Sequence, residues 1–353
     1  MMLQIRKPDD MHLHLRDGAI LESVVAASAA DFGRALVMPN LLPPITTGAM
    51  AAAYRNRILA ALPNSSTFKP LMAIYLTDET DPAEVKAAVK CGHAVAVKLY
   101  PAGATTNSTS GVTDISNVRG VFEALAETGT PLCVHGEVAE FDVDIFDREK
   151  VFIEKVLERI RAWEPRLRIV LEHVTTAEGI EYVRSNRPRV AATITVHHLI
   201  INRNHIFRGG LQPHNYCLPV AKREHHRLAL IGAATGGETS FFLGTDSAPH
   251  LATDKECASG CAGIYTAPVA VSCLAHIFED AGALNELEKF ASVHGAHFYR
   301  LEPNSEFIEL RKRETPLQDV GNPIVGDDRI VVFDPGFDLH WEPVRKEENA
   351  NGR

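Results

Sequence analysis

Along almost the whole chain of 353 residues, short apolar runs alternate with stretches of helical spacing, and no other feature narrows the fold as far. The runs are MHLHL (11–15), ALVMPN (35–40), PLMAIYL (70–76), AVAVKLY (94–100), PLCVHGE (131–137), RIVLEHV (168–174), VAATITVHHL (190–199) and SFFLGTD (240–246). They have the length and β-branched content of buried strands. Helical patterns fall between them at about 20–31, 48–61, 82–90, 117–128, 148–162, 177–185 and 223–234, and again at about 267–280 and 285–301. Strands alternating with helices specify parallel pairing through helical crossovers. Eight such units predict an α/β fold, a (β/α)8 TIM barrel, which can reach this length as one domain. The barrel is expected over about 1–302. A small strand-containing C-terminal appendage follows at about 303–340, built from EFIEL, a turn-rich stretch and RIVVF, with a tail over 341–353. No Gly/Ser-rich or Pro-rich linker divides the chain, so one domain over 1–353 is expected.

Composition excludes several classes of function. At 45% hydrophobic and 23% charged residues, the chain matches an ordinary soluble globular protein. A formal charge of -9 argues against a nucleic-acid footprint and a polybasic membrane surface. No apolar stretch reaches bilayer length and the first thirty residues lack a secretory pattern, which predicts a cytoplasmic protein. The cysteines at 91, 133, 217, 257, 261 and 273 form no CxxC pair and read as reduced thiols.

The unusual polar residues sit at or near the C-terminal ends of the predicted strands: His12, His14, Asn40, Lys98, His135, His173 and Asp246. In such a barrel these ends share one mouth, where active sites are built. His12, His14 and Arg16 alternate, so a continuous strand would project all three to one side. A lone buried histidine is ordinarily a hydrogen-bonded core residue. Two imidazoles on one face are costly without a cation or acceptor, and the joint pattern with KLY, VHGE, LEHV and GTDSAPH is not accounted for by core polarity. Four histidines and an aspartate, without thiolate, suit Zn2+ or a similar divalent ion. Lys98, inside the apolar VAVKLY, has two readings: an ion pair with a nearby carboxylate, or a desolvated amine neutral enough to capture CO2 as a carbamate. Arg16 also has two: a fork for a substrate carboxylate, or a salt bridge with Asp9 or Asp17. The stretch PAGATTNSTSG (101–111) has no apolar periodicity and is expected to be mobile, either as a lid or as a plain surface loop.

The ordered set DMHLHLRDG, VMPNLLPP, VKLYPAGATTNS, CVHGE, LEHVTT, YCLPVAKR, LGTDSAPH and CAGIYTAP resembles the successive motifs of the bacterial type II dihydroorotases, in the amidohydrolase superfamily, from about residue 3 to 335. The resemblance implies a reversible interconversion of N-carbamoyl-L-aspartate with (S)-dihydroorotate and water, in pyrimidine biosynthesis. It implies two Zn2+ per subunit, bridged by carboxylated Lys98 and a hydroxide. One would be held by His12, His14, Asp246 and Lys98, the other by His135, His173 and Lys98. Asp246 would carry the proton. Arg16, Asn40 and His250, with backbone groups near Leu218 and Ala262, would bind the substrate, and Thr105 and Thr106 would belong to a closing loop. The partner is then a small molecule, with neither nucleic acid nor membrane, and the enzyme a homodimer. The pair His197 and His198 departs from the single histidine usual there, and neither is assigned to metal. Two rivals stand beside this reading: another cyclic amidohydrolase, of hydantoinase or allantoinase type, and a metal-free scaffold that has lost catalysis.

Overall fold

A computed structural model describes residues 1–318 and 320–344. Thirteen strands occur among them. Strand β1 (Met2–Arg6) precedes the barrel strands β2 (Asp9–Leu13), β3 (Arg34–Val37), β4 (Lys69–Leu76), β5 (Ala96–Leu99), β6 (Leu132–His135), β7 (Ile169–Glu172), β8 (Val190–Ile194) and β9 (Phe241–Leu243). The rest are β10 (Phe307–Lys312), β11 (Ile324–Val325), β12 (Asp328–Arg329) and β13 (Trp341–Val344). Strands β2 to β9 pair in sequence order as one parallel sheet of eight. A parallel bridge between Leu13 and Ser247 joins its two edges, so the sheet curls into a barrel. All eight expected strands and a (β/α)8 architecture are present.

Two apolar layers hold it. Met11, Leu36, Ala73, Ala96, Cys133, Val170, Ala191 and Phe242 fill the interior, and Tyr299 joins them. The larger layer lies between the strands and the surrounding helices. Helices start where the sequence provides caps: the Thr47 side chain accepts from Met50 N, and Asp81 accepts from Ala83 N with Pro82 at the first turn.

The seventh strand run is shorter than its sequence suggests. VAATITVHHL was expected to be extended to residue 199, but β8 stops at Ile194 and a short helix spans Val196–Ile200. Thr195 decides it, because its side chain caps that helix by accepting from His198 N. His197 and His198 therefore follow the strand rather than end it. In the appendage, β10 pairs antiparallel with β1 on one side and β13 on the other. Strand β1 was not anticipated because its face is largely exposed and its partner lies some three hundred residues away. The tail expected over 341–353 begins as a strand instead, with Trp341 fully buried and its Nε1 donating to Glu279 at 3.0 Å. Of RIVVF only Arg329 is in a strand; Ile330 and Val332 make single bridges to Leu251 and Tyr265. The frayed end expected over 347–353 lies outside the described residues.

Candidate active site

Strand ends deliver the polar cluster to the barrel mouth, but the backbone bends to do so. Strand β2 ends at Leu13, so His14 and Arg16 are not placed by strand alternation. Arg16 adopts φ 58°, and His173 and Asp246, each just past its strand, adopt φ 41° and 47°. Non-glycine residues rarely occupy this left-handed region, and such strain concentrates where side chains must be aimed. Gly244 permits the last approach. A Cβ there would lie 2.8 Å from His12 Cβ and from Thr193, and the Asp246 N–H donates to His12 O at 2.8 Å.

The imidazoles share one pattern: an outer nitrogen held by an oxygen, an inner one facing the cluster. His12 Nδ1 lies 2.8 Å from Glu172 Oε2, and its Nε2 lies 3.4 Å from Asp246 Oδ1. His14 Nδ1 lies 2.8 Å from Asn40 Oδ1, and its Nε2 lies 3.1 Å from the same Asp246 oxygen. His135 Nε2 lies 3.0 Å from Glu137 Oε2, while its Nδ1 lies 3.2 Å from His173 Nε2. Carboxylates accept only, so the outer nitrogens of His12 and His135 carry a proton, and in a neutral, metal-bound ring the inner nitrogen is the one left to coordinate. This is how proteins orient metal-binding histidines. His173 differs, since its Nδ1 is buried without a protein partner. Ligand atoms of His12, His173 and Asp246 all lie within 4.8 Å of one another, close enough to hold a metal ion.

Electrostatics follow burial. Desolvation lowers His14 to about 4, and lowers His135 and His173 as well, so these rings are neutral at neutral pH. Burial is the largest influence on His12 and opposes its charge, but the Glu172 and Asp246 carboxylates together outweigh it and raise the ring. Burial would raise Asp246; hydrogen bonds from His12 and His14 hold it well below the usual carboxylate range. Lys98 is fully buried, its Nζ meets no hydrogen-bond partner among the described residues, and desolvation lowers its pKa. The ion-pair reading of Lys98 thus fails. The salt-bridge reading of Arg16 fails as well, because Asp9 pairs with Arg34 and Asp17 with Arg57.

Arg16 Nε donates to Pro249 O at 3.1 Å, and Nη2 lies 2.9 Å from His250 Nε2. Its buried Nη1 has no protein partner. Asn40 is more committed than expected: besides His14, its Nδ2 donates to Thr106 O at 3.1 Å. The 101–111 segment lies over the site. Thr106 Oγ1 donates to Ala262 O at 3.3 Å, Asn107 Nδ2 to Asn40 O at 3.0 Å, and Tyr75 OH to Asn107 O at 3.3 Å. Below it, a pocket is lined by His12, His14, Arg16, Asn40, Thr105, Thr106, His135, His173, Leu218, Asp246 and Ala262. Of the expected residues, Lys98 lies beneath the wall, 5.0 Å from the Tyr100 ring, and His250 reaches the pocket through Arg16.

Three contributors went unnoticed in the sequence. Tyr100 lines the pocket with a buried hydroxyl that has no protein partner, and Glu172 and Glu137 hold His12 and His135. Each had a signal. Tyr100 and Glu137 stand two residues beyond Lys98 and His135, and Glu172 directly precedes His173.

Residues 9–313 match the model of the Amidohydrolase family. A dihydroorotase of Cereibacter sphaeroides is 62% identical over 339 residues, covering 96% of this chain and 98% of its own. The chain belongs to the dihydroorotases. Solved structures agree. A Campylobacter jejuni dihydroorotase superposes with a TM-score of 0.87 at 34% identity, covering 97% of each chain. A Saccharomyces cerevisiae dihydroorotase in complex with 5-fluoroorotic acid superposes with 0.88 at 33% identity, covering 98% of this chain and 99% of its own.

Proposed function

We propose that this amidohydrolase opens and closes the ring of dihydroorotate at the barrel mouth, with two zinc ions held by the residues that converge there. The observation that carries the metal reading is the arrangement of ring nitrogens. His12, His14 and His135 have their outer nitrogens tethered to oxygens, and inner nitrogens face Asp246 Oδ1 or each other at 3.1–3.4 Å. That spacing suits neighbouring ligands of a tetrahedral ion. His12, His14 and Asp246 would hold one ion, His135 and His173 the other. Lys98, buried and unpartnered, would bridge them as its N6-carboxylated form, whose carbamate oxygens satisfy the site as a lone amine does not. When bound, the ions supply an activated water at neutral pH and polarise the amide carbonyl.

The remaining work falls to side chains. Hydrolysis adds water across the ring amide: the C–N bond breaks, the carbonyl carbon gains OH and the nitrogen gains H. Asp246 uses Oδ1 against His12 and His14, which leaves Oδ2 to take the water's proton and pass it to the departing nitrogen. Ring closure runs the same transfers backwards. Arg16 offers its free Nη1 to the substrate carboxylate, with Asn40, His250 and the backbone at Leu218 and Ala262 completing the binding face. Tyr100, whose hydroxyl burial keeps protonated, donates a hydrogen bond into the pocket. Thr105 and Thr106 close the site against water. The unpaired Arg16 nitrogen favours a carboxylate-bearing substrate, which a hydantoin is not, and the full-length 62% identity to a dihydroorotase favours the same choice.

The resemblance further supports a single-domain homodimer working in the cytoplasm; among the described residues no helix is long and apolar enough to cross a membrane. Elemental analysis of protein purified without chelator, with hydrolysis of dihydroorotate and hydantoin assayed on the same sample, tests the reading. About two zincs per chain with activity on dihydroorotate alone is expected. One zinc with full activity would remove the Lys98 bridge, and no metal with no activity would leave a scaffold. Light scattering checks the dimer.

A further inference from the structure

Lys255 stands outside the pocket, at the end of a single helical turn (Ala252–Lys255), yet it is 5% exposed. Its Nζ donates to three backbone carbonyls: Tyr216 O at 3.1 Å, Cys261 O at 2.9 Å and Gly263 O at 2.5 Å. These oxygens belong to the two loops that furnish Leu218, Ala262 and Gly263 to the pocket wall. A trans peptide is planar, so a carbonyl and the N–H that follows it point in opposite directions. With the Cys261 carbonyl drawn towards Lys255, the Ala262 N–H is turned away from the lysine. It donates to no protein acceptor among the described residues. The Ala262 carbonyl is already engaged, taking the Thr106 hydroxyl and lying 3.0 Å from His250 Nε2.

We infer that Lys255 is a positioning residue for substrate binding: its ammonium fixes the Cys261–Ala262 peptide so that the Ala262 N–H faces the substrate carboxylate beside Arg16. The inference rests on the proposed substrate-binding role of Ala262. An ammonium has three N–H donors for three carbonyls, and a neutral amine has two, so loss of its proton frees one of the loops. Burial brings Lys255 down to about 8. Of the titratable groups around it, only the exposed Cys257 on the same loop is lowered from the ordinary thiol value, by hydrogen bonds at Ser259 and Gly260. Burial pushes Cys217 up to about 12 and raises Cys261 and Tyr216, His197 and His250 are brought down to about 4 and about 2, and Arg16 stays cationic.

The test is steady-state kinetics of the holoenzyme on dihydroorotate between about pH 7 and 9.5, for wild type, Lys255→Met and Lys255→Arg. For Lys255→Met, KM is expected to rise about tenfold, the effect of one misplaced charge-assisted hydrogen bond, with kcat within about threefold of wild type. Wild-type KM should climb above pH 8, and the Met variant should lack that climb. A merely structural lysine predicts the reverse split, a lower melting temperature with KM intact, and that result would overturn the inference. If Lys255→Met does not fold, the other two proteins decide. A wild-type KM independent of pH overturns the role, and a climb that Lys255→Arg suppresses upholds it. A wild-type holoenzyme inert towards dihydroorotate overturns the functional reading and this role together, whereas an active enzyme with unchanged KM in Lys255→Met overturns only the latter.

Discussion

The two walls of the pocket are built differently. One wall consists of His12, His14, His135, His173 and Asp246, set at or just past strand ends, with the first three tied by buried carboxylates or an amide. The opposite wall consists of Thr105, Thr106, Leu218 and Ala262, set in loops and held by hydrogen bonds such as Thr106 Oγ1 to Ala262 O. The first wall is braced by buried side chains; the second is held by hydrogen bonds between loops. Cations demand ligands at fixed separations, whereas a substrate must enter and leave.

Breaking the rigid wall should cost most. Asp246→Asn keeps the shape but removes the proton carrier, and kcat is expected to fall by about 10²–10⁴, the usual scale for general acid–base groups. A loss under tenfold would assign the proton transfer elsewhere. His197 tests the wall's rear. It is fully buried with neither ring nitrogen partnered, and burial lowers it to about 4. The unfolded chain takes up a proton near pH 6.5 that the folded one refuses until about 4. Stability should therefore fall as pH drops through that window, by about 3 kcal/mol from this one ring. Urea midpoints across that range should show a shallower acid limb in His197→Gln, and identical limbs would mean the ring finds a partner in solution. Next in size is the support of the metal ligands. Glu172→Gln leaves every ligand in place but weakens the hold on His12, so metal affinity is expected to fall 10- to 100-fold in competition with a chelator. The loop wall should give least. Removing both hydroxyls, in Thr105→Ala with Thr106→Ala, is expected to lower kcat/KM about tenfold through one or two weak hydrogen bonds while the melting temperature holds. Kinetics unchanged in that variant would erase the functional distinction between the walls.

Much of this was legible in the residue order, and the misses share a cause. All the strands from β2 to β9 announced themselves, since a parallel strand buried on both faces must be apolar throughout. The metal-facing residues stood out as polar interruptions at the ends of those runs. Residues 195–199 were misjudged because a threonine cap, not hydrophobicity, ends β8. Strand β1 escaped because its partner is far away in the chain, and the strand at Trp341 because four residues that include Glu342 and Pro343 carry no strand pattern. Glu172 and Glu137 were adjacent to recognised histidines, yet a carboxylate beside an imidazole has no pattern of its own until the fold sets its direction.

By itself, then, the sequence determined the barrel and its chemical alphabet, because burying apolar runs with this periodicity leaves few alternatives and places their polar ends at one mouth. The tertiary structure alone decided which nitrogen of each histidine faces the cluster, that Lys98 has no carboxylate partner among the described residues, that Arg16 keeps one nitrogen unpaired, and that Lys255 gathers carbonyls from two loops. Those are matters of direction and distance between groups remote along the chain, set by left-handed backbone turns and close approaches that no local pattern of residues encodes.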